Sequence, residues 1–178
     1  MNILLHTCCG PCAIECLAFF RTENMEPAAY FNNPNIHPYK EYEARLESLT
    51  RLCGRTETRL IADGGYGLRR FLSVTENGGQ ARCGACYRTR LQDTARYAAQ
   101  NGFDCFSSTL LISPYQNHAL IKETGESAAL LFGIPFYYHD FRPLFYAGQN
   151  EARKSGLYRQ SYCGCVFSEE ERWRKKEG

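Results

Sequence analysis

The sequence predicts an α/β fold: a single doubly wound, mostly parallel sheet with helices on both faces. Three observations carry that expectation. Short apolar runs of strand length alternate with longer segments of helical period from one end of the chain to the other. No long helix-free stretch of strands occurs, so successive strands must be joined by crossovers, which makes neighbouring strands parallel. The irregular polar loops fall where predicted strands end, the place where such sheets gather their function.

The elements follow in order. Ile3, Leu4 and Leu5 form a first apolar strand, which runs into Cys8, Cys9, Gly10, Pro11 and Cys12. Proline after a tight glycine turn starts a helix over Ala13–Phe20. That places the thiols of Cys8, Cys9 and Cys12 at a strand-to-helix turn beside unpaired backbone N–H groups. There the positive helix end favours the thiolate, the form that binds metal or attacks disulfides. Ala28–Phe31 is a second strand, opening into a loop from Asn32 to Pro38 whose prolines and asparagines forbid regular structure. Tyr39, Tyr42, Leu46, Leu49 and Leu52 then recur at helical spacing, with Gly54 as the stop. Thr58–Ala62 is a strand and Leu68–Val74 a short helix. A long helix opens at Arg82 and runs to Gly102, and Asp104–Ser108 is a strand. The polar loop from Leu110 to His118 enters a helix ending near Phe132. Pro135–His139 is a fifth strand, Glu151–Gly156 a short helix, and the segment after Cys165 a charged final helix.

Composition narrows the function classes. A chain of 178 residues with 44% hydrophobic content suffices for one domain, residues 1–178, burying roughly 70% of its unfolded surface. It needs no disulfide to stay folded, yet it carries ten cysteines. The N-terminus lacks the basic-then-apolar pattern of a signal peptide and no stretch is long enough to span a membrane. The expected compartment is therefore the reducing cytoplasm, where cysteines serve as metal ligands or redox thiols. A net charge of +2 does not indicate a bulk nucleic-acid coat. There is no Walker loop and no dinucleotide fingerprint.

Three cysteine groups carry the chemistry. They are Cys8, Cys9 and Cys12; the C-x-x-C pair Cys83 and Cys86 at a helix start; and the C-G-C pair Cys163 and Cys165. Cys16, Cys53 and Cys105 stand alone in apolar segments and are expected in the core. Four thiolates suit tetrahedral zinc or an iron–sulfur cluster. Seven candidates suit a four-cysteine site with further thiols beside it, as redox work requires, and a C-x-C pair can close into a readily reduced disulfide. The tetrapeptide Cys9-Gly10-Pro11-Cys12 matches a thioredoxin active site, but a third thiol adjacent to that pair would compete with it. The alternative is a zinc-stapled nucleotide-binding module without redox activity.

The stretches HTCCGPC, NPNIHPYKEYEAR, RCGACYRTRL, LLISPYQNH, DFRPLFYAG and GLYRQSYCGCVFSEEE, in order from residue 6 to 171, resemble the epoxyqueuosine reductases of the QueH type. That resemblance implies an oxidoreductase that reduces the epoxide of epoxyqueuosine, at the wobble position of tRNA, to queuosine. It implies one iron–sulfur α/β reductase domain with a [4Fe-4S] cluster and, beside it, an additional mononuclear iron. Cys8, Cys9, Cys83 and Cys86 would be the cluster ligands by motif position, and Cys163 and Cys165 the redox-active pair. Cys12 stands where the family sometimes has an aspartate, so it is a metal candidate replaceable by an oxygen ligand. Gly10 stands where the family more often has alanine, an exchange expected to change little. The implied partners are tRNA carrying epoxyqueuosine in its anticodon loop and an unidentified electron donor.

By residue type, His6, His37 and His118, with Asp140 as a further one, are candidates for the acid that protonates the departing oxygen; of these His6, inside a strand, reads rather as structural. Tyr115, Gln116, Asn117, Tyr158, Arg159 and Gln160 suit stacking and edge contacts with an exposed base. Arg82, Arg88, Arg90, Arg153, Lys154 and Arg159 suit phosphates. The run Arg172–Lys176 reads as a solvated helix face.

Overall fold

A computed structural model describes residues 1–75 and 79–174. Four strands are found among them: β1 (Asn2–His6), β2 (Glu26–Phe31), β3 (Leu60–Ala62) and β4 (Cys105–Ser108), in the order β3-β2-β1-β4 and all parallel. Seven α-helices are described: α1 (Gly10–Thr22), α2 (Tyr39–Arg55), α3 (Leu68–Val74), α4 (Gly79–Gln100), α5 (His118–Phe132), α6 (Phe145–Lys154) and α7 (Val166–Trp173).

The strand order explains where the site lies. From β1 the chain moves outward through β2 to β3, then returns past β1 to place β4 on its other side. Right-handed crossovers therefore put α1 and α2 on one face of the sheet and α4 on the other. The switch point falls between β1 and β4, and the crevice beyond their carboxyl ends is where such sheets bind ligands. Ile3, Leu4 and Leu5 are fully buried because β1 is covered on both faces. Cys16, Cys53 and Cys105 are buried in the same apolar core.

Two predicted elements change. Pro135–His139 does not form a fifth strand; it makes a single parallel bridge between Phe136 and Phe106. Tyr137 N–H donates to the Phe106 carbonyl at 2.8 Å, but the chain then turns inward, where His139 stacks on Phe19 and Phe141 packs edge-on against it. Aromatic burial has won over the alternating pattern. Helix α6 begins at Phe145 rather than Glu151. At Gly148 this longer helix meets α1, where a Cβ would lie 3.0 Å from the Pro11 carbonyl, so a larger residue would push the two helices slightly apart.

Candidate metal and redox site

β1 ends at His6, and Pro11 occupies the first turn of α1, with Cys9 as its extended N-cap. This turn holds the sulfurs of Cys8, Cys9 and Cys12 within 4.8 Å of one another, the only such group of potential metal ligands among the described residues. Cys8 and Cys9 sulfurs are 3.7 Å apart. The Cys8 backbone N–H donates to Thr109 Oγ1 at 3.3 Å, which ties the turn to the end of β4. The Gln160 side chain spans the group: its Oε1 accepts from the Cys9 thiol at 3.2 Å and its Nε2 donates to Cys12 Sγ at 3.4 Å.

Hydrogen bonds from the Cys12 and Cys9 thiols hold the Cys8 pKa well below the ordinary thiol value, and the nearby Arg90 and Arg45 charges act the same way. Burial pushes the Cys9 thiol up, and its hydrogen bond with Cys8 pushes the Cys12 thiol up. Three soft donors thus stand together at a helix N-terminus, with Cys8 the thiol most favoured as thiolate, a donor set suited to iron or zinc.

The middle and end of the chain supply the other sulfurs. Cys83 and Cys86 sit on α4, and Cys86 packs with Phe71 and Cys165 in a small buried cluster. Burial pushes the Cys86 thiol up to about 12. Cys165 is the N-cap of α7, its sulfur accepting from the Ser168 N–H at 3.4 Å. Cys163 is exposed and accepts from Gln116 Nε2 at 3.4 Å. Gly164 between them has φ of 133°, and a Cβ there would lie 3.2 Å from the Arg45 guanidinium, so the pair needs glycine at its centre.

A cavity of about 420 Å³ brings together the first and last cysteine groups, lined among others by Cys8, Cys12, Cys163, Gln116, Gln160 and Tyr162, but not by Cys83, Cys86 or Cys165. Two arginines, each only 1% exposed, form its inner wall. Arg45 pairs with Glu41 at 2.7 Å and donates to the carbonyls of Tyr162 and Cys163, both at 3.0 Å. Arg90 donates to His6 Nε2 at 3.2 Å, to Asn33 Oδ1 at 3.0 Å and to Cys86 Sγ at 3.9 Å. Arg90 therefore stands between the β1 turn and the α4 thiols, one helical turn beyond Cys86.

The sequence model of one family, described as "Epoxyqueuosine reductase QueH", matches residues 3–171. The chain belongs to the QueH family of epoxyqueuosine reductases. It is an oxidoreductase. An epoxyqueuosine reductase QueH of Dehalococcoides mccartyi is 36% identical over 98% of this chain and 96% of its own length. One from Thermotoga maritima is 32% identical over 98% of this chain and 93% of its own. Among solved structures, a predicted subunit of tRNA methyltransferase from Methanocaldococcus jannaschii superposes with a TM-score of 0.58 at 10% identity, covering 86% of this chain and 74% of that one. At that identity the likeness is one of fold.

Within this QueH chain several sequence expectations take a different place. Asp140 is not an acid for neutral solution: hydrogen bonds from Arg142 hold its carboxyl down at about 2. His37 is buried, with Nε2 on the Pro34 carbonyl at 2.8 Å and Nδ1 accepting from the Val166 N–H at 3.3 Å. Its backbone also receives Tyr162 Oη–H and donates to Gly164 O at 2.7 Å. It fastens the Cys163–Cys165 loop instead of facing substrate. His118 anchors its loop through the Leu111 carbonyl at 3.0 Å. His6 is structural, as its strand position implies; burial and then Arg90 push its pKa down to about 3.

The RNA-contact candidates divide similarly. Arg90 is buried in the cavity's inner wall and engaged with His6 and Asn33, Arg82 pairs with Glu171 at 2.6 Å, and Asn117 caps α5 by accepting from Leu120 N–H. Tyr158 hydrogen-bonds Glu41 and lies outside the cavity lining. Tyr115, Gln116 and Gln160 do line it, and so does Arg172; the end of the Arg172–Lys176 run lies outside the described residues. Arg45 and Tyr87, whose hydroxyl orients Gln116 at 2.6 Å, were not singled out by residue type, although both lie in stretches that carry the family resemblance. Gly10 also departs from expectation: a Cβ there would lie 2.8 Å from the Ser48 carbonyl of α2, so alanine does not fit this chain's packing unchanged.

Proposed function

We propose that this chain reduces the epoxide of epoxyqueuosine, carried at the wobble position of tRNA, to queuosine, with a [4Fe-4S] cluster and the Cys163–Cys165 dithiol as its redox equipment. The observation that carries this reading is the shared cavity, where sulfurs from both ends of the chain meet beside two buried arginines. The first group of donors fits: the closely spaced thiols of Cys8, Cys9 and Cys12, with Cys8 favoured as thiolate, are what such a centre requires, while Cys83 and Cys86 stand outside that 4.8 Å group. Cys8, Cys9, Cys83 and Cys86 would hold the cluster, and Cys12 a second iron. When bound, such a centre supplies single electrons and a Lewis-acidic iron.

The chain's own residues account for the rest. Converting the epoxide to an alkene and water consumes two electrons and two protons. Oxidation of the Cys163 and Cys165 thiols to a disulfide releases two of each, so the dithiol balances the reaction. Among the described residues lining the cavity there is no histidine, which favours these thiols as the proton source. Arg45, through the carbonyls of Tyr162 and Cys163, holds that loop at the cavity wall. An electron donor then regenerates the dithiol. Among the described residues no helix is long and apolar enough to cross a membrane, and we assign the reaction to the cytoplasm.

The test is an anaerobic assay of reconstituted protein on epoxyqueuosine-containing tRNA, read by nucleoside mass spectrometry and iron analysis. Loss of one oxygen from the nucleoside, abolished by Cys83→Ala or Cys86→Ala, is expected. Wild-type turnover in those variants would overturn the ligand assignment. A colourless zinc protein without turnover would overturn the reading as a whole.

A further inference from the structure

We propose that Tyr115, Phe145 and Tyr146 form an aromatic ladder that grips the unpaired RNA nucleotides flanking the modified base as that base enters the cavity. The inference rests on the proposed tRNA reaction and adds to it the surface that holds the substrate strand. Tyr115 and Tyr146 are 78% and 70% exposed, and among the described residues neither hydroxyl has a hydrogen-bond partner that would explain its position. The rings are contiguous: Tyr115 meets Phe145 edge-on at 5.8 Å, and Phe145 meets Tyr146 at 5.3 Å. Tyr115 and Phe145 line the cavity, and Tyr146 continues the row onto the open surface.

The ladder is also rigidly placed. Phe145 and Tyr146 open α6, which packs on α1 through the close approach at Gly148. The helix that carries Cys12 therefore also sets the position of the rings. Two exposed tyrosine rings held on either side of a half-buried Phe145 offer stacking faces to a partner, and unpaired bases are partners that stack on such rings. The surrounding charge favours RNA over a protein donor. Arg153 and Lys154 end α6, Arg172 lines the cavity, and Arg159 donates to the lining residue Gln149 at 3.2 Å, while the acidic Glu151 is engaged with the Ser155 hydroxyl. Cations around a stacking row suit a phosphate backbone.

The test uses the reconstituted holoenzyme with two substrates, an anticodon stem-loop RNA carrying epoxyqueuosine and the free nucleoside. Tyr115→Ala and Tyr146→Ala should each raise KM for the stem-loop about ten-fold with little change in kcat. Tyr146→Phe should restore it, because the ring and not the hydroxyl does the stacking. The ratio of kcat/KM between stem-loop and nucleoside should fall by the same factor. Leu130→Ala, an exposed truncation on α5, serves as the control and should change neither value. Unchanged stem-loop KM in both alanine variants would overturn the proposal. So would equal losses on the two substrates, or a raised KM for the electron donor instead, which would make the ladder a protein-docking surface. If the wild-type chain reduces neither substrate, the reaction assigned above fails. Fluorescence anisotropy of the unmodified stem-loop against the same variants then decides the ladder on its own.

Discussion

Arg45→Met isolates the contact that holds the Cys163–Cys165 loop. Arg45 is almost wholly buried, pairs with Glu41 at 2.7 Å and donates to two loop carbonyls at 3.0 Å. The substitution strands the Glu41 carboxylate, itself only 8% exposed. Breaking a buried ion pair from one side costs about 3–5 kcal/mol, because the remaining charge is desolvated and unpaired. Tyr158 still hydrogen-bonds Glu41, which keeps the cost near the low end, about 3 kcal/mol. The freed carbonyls lie at a cavity edge and regain water. With a urea slope of about 2 kcal/mol/M, the unfolding midpoint should fall by about 1.5 M. The double variant Arg45→Met/Glu41→Gln removes the orphaned charge and should recover part of the loss. Alkylation of Cys165 in the native protein should become faster in the single variant, since the loop has lost its fastening. A midpoint shift below about 0.5 M, or a double variant no more stable than the single one, would refute the reasoning.

Other outcomes follow from the same geometry. Burial lowers the His37 pKa from 6.5, so below that value the unfolded chain binds more protons than the folded one and stability must fall with falling pH. His37→Gln should flatten the urea stability curve between about pH 7 and about pH 5, by at most about 1.4 kcal/mol per pH unit; equal slopes would show that His37 is not buried neutral. Gly10→Ala drives a Cβ into the Ser48 carbonyl and should cost about 2 kcal/mol, lowering Tm by roughly 6 °C in calorimetry; an unchanged Tm would show that α1 and α2 relax freely. If Cys12 is a metal ligand, Cys12→Asp should retain more iron per chain than Cys12→Ala, measured after anaerobic reconstitution. Equal iron content in the two would remove Cys12 from the site.

The alternation of strand and helix was legible because it is written in local periods of two and 3.6 residues, which need no knowledge of the far chain. The position of the Cys8–Cys12 turn was legible for a related reason: a strand end, Gly10 and Pro11 are adjacent in sequence and specify a helix start by themselves. The short bridge at Phe136 was not, because a strand pattern near Pro135 reads the same whether it pairs along its length or turns to bury Phe141. Nor did spacing reveal the histidine roles. His37 and His118 sit in loops of the kind that carry function, and only their partners, Val166 and Leu111, show them fastening backbone.

By itself the sequence determined which cysteines stand in groups, what element each group begins or ends, and the family to which the chain belongs. Only the tertiary structure decided that Cys8, Cys12 and Cys163 face one cavity, that Arg45 and Arg90 are buried as its wall, and that Gly10 touches α2. The division has a physical cause. Local propensity acts over a few residues, whereas the bond from Arg45 to Cys163 spans 118 positions, and its existence depends on the order in which the strands lie in the sheet.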